Sequence, residues 1–219
     1  ETVSGYGDDG PDAKRPGFDV ATYWARSGLM MDIGEPSASP LSQIYAFGDM
    51  STGAVLAGGI CAALCKQVRT GQGDKVEISL MGNAIWAAGL LILAAQEAYQ
   101  DRWPKSRMTP PSPLTSSYQC KDGEWLLLCI LEYDRYYPDL CKVLGREDLI
   151  ADERYNSLKN VKAHNTEFVQ LLDSIFATKT REEWCTLLKK TDIVYDKILH
   201  FKDVSKDMQA WSCNYIFEH

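Results

Sequence analysis

Between residues 48 and 81 the chain reads GDMSTGAVLAGGICAALCKQVRTGQGDKVEISLM, and no other block constrains the fold as much. Apolar residues recur at Val55, Leu56, Ile60, Ala63, Leu64 and Val68, a helical period that predicts a helix over 51–68. Gly53, Gly58 and Gly59 would weaken such a helix in isolation. They point instead to a neighbouring backbone packed close along 53–63. TGQGDK, 70–75, reads as a turn, and 75–80 alternates with Val76, Ile78 and Leu80 on one face, as in a strand. A second long helix is expected over 81–101. It is apolar around most of its circumference, so it needs cover on several sides. Helix, turn, strand, helix is the order of an α/β layer.

Upstream, residues 1–45 are loop-rich and punctuated by Gly5, Gly7, Gly10, Pro11, Pro16 and Gly17. A short helix with Tyr23 and Trp24 is expected over 20–29, a polar loop over 34–43 and a short strand over 44–47. The composition shifts at WPKSRMTPPSPLTSS, 103–117, which reads as a linker or lid loop. It divides the chain into domains 1–105 and 106–219. Beyond it, strands at 118–120 and 125–131 flank a KDG turn, and helices then dominate. TREEW, 180–184, is a capping box with Thr180 as N-cap and Glu183 three residues on.

The net charge of −7 argues against a nucleic-acid partner. The longest strongly apolar stretch, 84–95, is shorter than the roughly 20 residues a bilayer requires, so no membrane partner is expected. The first residues have neither the basic nor the apolar region of a signal peptide. Seven cysteines, an odd number scattered through apolar segments, suggest reduced core thiols and a cytoplasmic protein. Cys61 and Cys65 are four apart on a predicted helix, with no nearby His or second pair, so no metal is expected. His164, His200 and His219 are expected on the surface or at helix caps. The chain has no initiator Met and begins at what reads as a strand end. It is therefore expected to be a fragment lacking the N-terminal half of a longer protein.

Asp49 is the leading candidate for chemistry. It follows a short apolar run and precedes a helix, so it meets free backbone N–H groups and the positive end of the helix dipole. Both favour the ionised carboxylate that a nucleophile needs. An aspartate there is also a common plain N-cap. Tyr23, Trp24 and Trp86 could line an acyl pocket or simply fill a core.

The block 48–81 closely resembles the CaiB/BaiF family of class III CoA-transferases. Those proteins share an Asp-led turn into a small-residue helix ending in Ala-Leu, then a TG-x-G-x-K turn and a strand. VSGYG, 3–7, is similar to the strand end and turn where that family contacts CoA. The likeness continues through YQCKDGEWLLLCI, 118–130, towards residue 219. The resemblance implies an α/β fold. Residues 1–105 would be part of a Rossmann-like large domain, and 106–219 a smaller α+β domain, in an interlocked homodimer. It implies acyl-CoA and carboxylic acid substrates, with coenzyme A a substrate and no permanently bound cofactor. By the same likeness Asp49 attacks the thioester, Ser4, Gly5, Tyr6 and Gly7 lie beside CoA, and N–H groups from Met50 onward serve as oxyanion donors. Some relatives carry Lys where this chain has Ser4. The glycine-rich lid of the formate-handling branch is replaced by the Pro- and Ser-rich 108–117. Racemases of the family use a Gly-His-Asp turn for proton transfer. Here that turn is Gly17-Phe18-Asp19, and Phe18 cannot move a proton. The resemblance favours the branch acting on 2-hydroxy and aryl acids such as phenyllactate and 2-hydroxyisocaproate, from amino-acid fermentation. A non-catalytic subunit is the alternative from another class.

Overall fold

The computed structural model, which describes residues 1–99 and 101–218, divides the chain into two units, Glu1–Lys105 and Ser106–His219. His219 and Gln100, the latter within the second predicted helix, lie outside the described residues.

In the first unit, β1 (Thr2–Ser4) pairs in parallel with β2 (Glu77–Ser79), with Val3 opposite Ile78. Parallel neighbours need a long crossover between them, and helices supply it here. Residues 20–29 do not make one regular helix. A π-helical turn covers Val20–Ala25, Gly28 takes φ +88°, and α1 (Leu29–Asp32) follows. Nor do residues 44–47 form a strand. Ala46 turns the chain with φ +59°, and helix α2 (Phe47–Thr70) starts at the next residue, four positions earlier than the apolar period implies. It stops at Gly71, whose φ of +72° suits a residue without Cβ and whose N–H caps the Gln67 carbonyl at 2.8 Å. The predicted helix over 81–101 is instead α3 (Leu80–Ala87) and α4 (Gly89–Ala94), broken where Ala88 leaves helical geometry ahead of Gly89. Gly89 weakens the helix at that point. The Ser79 side chain caps α3 through the Gly82 N–H, at 2.9 Å.

The core of this unit is small. Tyr23, Trp24, Leu80 and Ala84 are buried together, with Leu29 and Met30 against them. Trp86, Leu90, Leu93 and Val68 stand in the open among the described residues. Of Gly53, Gly58 and Gly59, it is Gly59 alone that a neighbour among the described residues presses. A Cβ there would meet Val76 Cγ1 at 2.8 Å, whereas Gly53 and Gly58 face open space. Helix α2 is long and apolar enough, by length and composition, to cross a bilayer, a property missed by looking only for large apolar side chains. Its apolar character comes from Val55, Leu56, Ile60, Leu64 and Val68 together with the alanines and cysteines between them, and core helices of soluble proteins pass the same test.

The second unit closes a full core. Strands β3 (Thr115–Gln119), β4 (Trp125–Cys129) and β5 (Tyr195–Ile198) form an antiparallel sheet in that order. The hairpin turn carries Gly123 at φ +80°. Period-2 alternation puts Tyr118, Leu126 and Leu128 inside. Helices α5 (Tyr133–Leu144), α6 (Leu158–Val161), α7 (Asn165–Phe176) and α8 (Arg181–Leu188) contribute Tyr137, Leu140, Val161, Phe168, Leu172 and Trp184 to the same cluster. The capping box at Thr180 and Glu183 is present. Two short helices, α9 (Phe201–Val204) and α10 (Met208–Ser212), end the chain. His164 pairs with Glu167 at 3.2 Å and His200 precedes α9. The cysteines divide: Cys120, Cys141 and Cys185 are buried, while Cys61, Cys65 and Cys213 are exposed, against the expectation of core thiols.

Trp184 is the side chain to test. It is fully buried, stands against Phe176 at 5.1 Å between ring centroids, and donates from Nε1 to the Phe176 carbonyl at 2.8 Å. Trp184→Ala should cost about 3–5 kcal/mol, read as a lowered urea midpoint at unchanged slope.

Candidate active site

Gly48 and Asp49 open the first turn of α2, and the turn is held from two sides. On one side the Gly48 N–H donates to Asp19 Oδ1 at 3.1 Å. A Cβ on Gly48 would sit 2.2 Å from that oxygen and 2.3 Å from Tyr23 Cγ. Glycine is therefore required here for space, because the helix start lies against the π-helical turn. Tyr23, Trp24 and Phe47 pack ring to ring at 5.7–6.4 Å and fix the approach. On the other side the buried Asn83 of α3 donates from Nδ2 to Thr52 Oγ1 at 2.9 Å and Ser51 Oγ at 3.0 Å. Ser51 in turn donates to the Gly48 carbonyl at 3.1 Å.

Asp49 is the third residue of α2 and is exposed. It lies within the helix, not in a turn ahead of it as the sequence suggests. The Met50 N–H is already committed to the Ala46 carbonyl at 2.9 Å. Its expected part as an oxyanion donor is thus withdrawn, because the early helix start uses it in the ladder.

Ser4, Gly5, Tyr6 and Gly7 lie at the end of β1. Ser4 Oγ accepts from the Gly7 N–H at 3.1 Å, and Gly7 has φ +106°. The Gly5 carbonyl accepts from the Met81 N–H at 3.0 Å, tying the turn to the start of α3. The guanidinium groups of Arg15 and Arg26 lie 5.3 and 5.7 Å from the Tyr6 ring centre, and Arg26 also pairs with Asp12 at 3.0 Å.

Gly17 joins the two halves of the site. A Cβ on Gly17 would stand 2.8 Å from Gly5 Cα, and one on Gly5 would stand 2.8 Å from Gly17 Cα. Gly5 and Gly17 therefore pass backbone to backbone. Two residues on, Asp19 holds the Gly48 N–H. The contact chain Gly5–Gly17–Asp19–Gly48 thus links the 3–7 turn to the residue before Asp49. The sequence marks the ends of this contact chain, but in Gly17-Phe18-Asp19 it shows only a turn without a histidine. Phe18 itself is exposed, whereas Asp19 is buried. Burial pushes the Asp19 carboxyl above the ordinary aspartate range, and the charge of Asp49 pushes it the same way. The Gly48 and Ala46 N–H groups act in the opposite sense. Of the aromatic candidates, Tyr23 and Trp24 belong to the core. Trp86 is exposed and lines a groove with Val55, Ile78 and Asn83.

Gly48→Ala should break the turn. The added methyl would overlap Asp19 and Tyr23, at a cost of about 1–3 kcal/mol by overpacking. Thermal melting should show the loss, and Gly53→Ala, which meets open space, should show none.

The model of CoA-transferase family III matches residues 1–219. The chain is 38% identical over 216 residues to (R)-2-hydroxy-4-methylpentanoate CoA-transferase of Clostridioides difficile, covering 99% of this chain and 54% of that protein. It is 37% identical over 220 residues to cinnamoyl-CoA:phenyllactate CoA-transferase of Clostridium sporogenes, covering 99% and 53%. The chain thus spans about half the length of these curated relatives. Among solved structures, the fold matches Rv3272 of Mycobacterium tuberculosis at a TM-score of 0.80 and 23% identity, over 97% of this chain and 55% of that one. It also matches a CAIB/BAIF family protein of Brucella suis at 0.79 and 24%, over 96% and 55%. A family model that covers every residue, on a structure that shares the fold of that family, places this chain in CoA-transferase family III.

Proposed function

We propose that this chain forms the nucleophile-bearing part of an enzyme that moves CoA between an acyl-CoA and a free carboxylic acid, with Asp49 as the nucleophile. The observation that carries the reading is the exposed carboxylate at the start of α2, on a turn held by Asp19 and Asn83 and connected through Gly17 to the 3–7 turn.

The chemistry suits a carboxylate because donor and acceptor are carboxylic acids too. An Asp49 oxygen attacks the thioester carbonyl, the C–S bond breaks, and CoA leaves as the thiolate, giving a mixed anhydride. The thiolate attacks the Asp49 carbonyl carbon, the anhydride C–O bond breaks, and the donor acid leaves as its carboxylate. The acceptor carboxylate then attacks the aspartyl-CoA thioester, expels the thiolate and forms a second anhydride. Attack of the thiolate on the acceptor carbonyl yields the new acyl-CoA and restores Asp49. No proton is gained or lost overall, so the site needs oxyanion donors and exclusion of water more than an acid or base.

On this reading the turn of Ser4, Gly5, Tyr6 and Gly7 lies beside CoA. Arg15 and Arg26, held against Tyr6, bring positive charge for its phosphates. The acids are 2-hydroxy or aryl acids, supported by identities of 38% and 37% to enzymes named for such substrates. The first unit belongs to a Rossmann-like large domain, consistent with its parallel strands and helical crossover. The open apolar faces of α2, α3 and α4 are covered by further protein in a cytoplasmic, interlocked homodimer.

In the complete natural protein, Asp49→Asn should fold normally and lose at least about a thousandfold in CoA exchange, a loss of the size seen for essential catalytic groups. Hydroxylamine should trap Asp49 during turnover with acyl-CoA, and label on a different residue would sink the assignment. Because Phe18 offers no base, the protein should not wash deuterium into C2 of a 2-methylacyl-CoA. Rapid exchange there would move the chain to the racemase branch.

A further inference from the structure

Asp19 is the one carboxylate beside the helix start that the proposed reaction leaves without a task. It is only 5% exposed. Its Oδ1 is satisfied by the Gly48 N–H at 3.1 Å, while its Oδ2, also buried, meets no hydrogen-bond donor among the described residues. An ionised carboxylate with an oxygen in that position is penalised, since burial removes water and the Gly48 and Ala46 N–H groups offset that loss only in part. A neutral carboxyl removes the buried charge: its carbonyl oxygen still accepts from Gly48, and what remains is a single O–H donor in place of an unsolvated negative oxygen.

We infer that Asp19 is a positioning residue that works in its protonated form, fixing the Gly48 N–H so that Asp49 alone of the two carries negative charge. This rests on Asp49 being the nucleophile. Two observations besides burial support it. The Gly48 position has no room for a Cβ, so Asp19 and the helix start are in close contact and not merely near. The charged group acting on Asp19 from α2 is Asp49, a like charge that opposes a second ionisation in the pair. Beside it stand the Tyr23 ring, which shares the contact with Gly48, and the backbone N–H groups of Gly48 in α2 and of Ala46 just ahead of it, all uncharged.

The consequence has a definite sign. In the unfolded chain Asp19 gives up its proton near the ordinary value of about 3.9. In the folded protein it holds the proton to higher pH. Folding stability is therefore unaffected below the ordinary value and is lost progressively as pH rises through the window between the two. Asn mimics the neutral carboxyl in shape and keeps the acceptor for Gly48, so Asp19→Asn escapes that loss.

The test uses the complete natural protein in three arms. In thermal melting, the margin of Asp19→Asn over wild type should grow as pH rises from about 4.5 to about 7.5. In CoA exchange, Asp19→Asn should keep activity to within about fivefold. Asp19→Ala, which removes the acceptor, should lose at least about tenfold in kcat with KM for acyl-CoA nearly unchanged. In carbon-13 NMR of wild type with carboxyl-labelled aspartate, one aspartate should titrate above the ordinary range. A flat melting margin, an Asp19→Asn variant as inactive as Asp49→Asn, or the absence of a late-titrating aspartate would each overturn the inference. Absence of CoA exchange in wild type would instead defeat the proposed reaction, and the melting and NMR arms would still decide the state of Asp19.

Discussion

The contact between Gly48 and the Asp19–Tyr23 turn is the constraint on which the rest of the site depends. A helix that begins beside a second backbone needs a first turn without bulk on that side, and Gly48 provides it with no atom to spare. The same approach lets one side-chain oxygen satisfy an N–H that no helix can satisfy for itself. Asp49 inherits its place from this contact, being the next residue in the chain. Thr52, one turn on, is fixed from the opposite side by Asn83. The nucleophile candidate thus sits on a turn anchored to the π-helical segment by one bond and to α3 by two.

That geometry also separates two carboxylates by environment. Asp19 is close enough to Asp49 to feel its charge, yet Asp19 is enclosed and Asp49 open. In water two such groups would both ionise. When one is buried without a donor for its second oxygen, desolvation favours its neutral form, and the exposed partner keeps the charge. Burial, more than any difference between two chemically identical side chains, would then assign which carboxylate is nucleophile and which is support.

Much of this was legible in the sequence, and what was missed has physical causes. The helical period, the KDG turn and the Thr180 capping box are local patterns: the period falls inside α2, KDG lies between β3 and β4, whose strands run 115–119 and 125–129 against the expected 118–120 and 125–131, and the capping box is present. The start of α2 was placed too late because Phe47 and Gly48 continue an apolar run. Only the left-handed turn at Ala46, enforced by packing against Tyr23 and Trp24, ends that run before the helix. The break at Ala88 was hidden because 81–101 is apolar enough to satisfy any helical pattern. Gly5 and Gly17 could be read only as turn residues. Their mutual approach joins positions far apart in sequence, and a single sequence carries no signal for it. Asp19 was visible as a residue but not as a partner, since nothing local distinguishes a buried aspartate from an exposed one.

The two units differ in how far they close on themselves, and composition explains why. The second unit places aromatic and branched side chains on alternate sheet positions and on one face of each helix, so its core is filled from within. The first unit spends its apolar residues differently. A third of helix α2 is Ala or Gly, which bury little area each but let another backbone come near, and α3 and α4 are apolar on faces that nothing among the described residues covers. Side chains such as Trp86 and Leu90 each forgo roughly 1.5–3 kcal/mol while they remain in water. On the proposed reading further protein meets this surface, where close backbone approach would use the small residues and burial the exposed large ones. The site stands at the N-terminal end of α2. Whatever covers that helix therefore also decides how much water reaches Asp49, and with it whether an acyl anhydride there would survive long enough to be transferred.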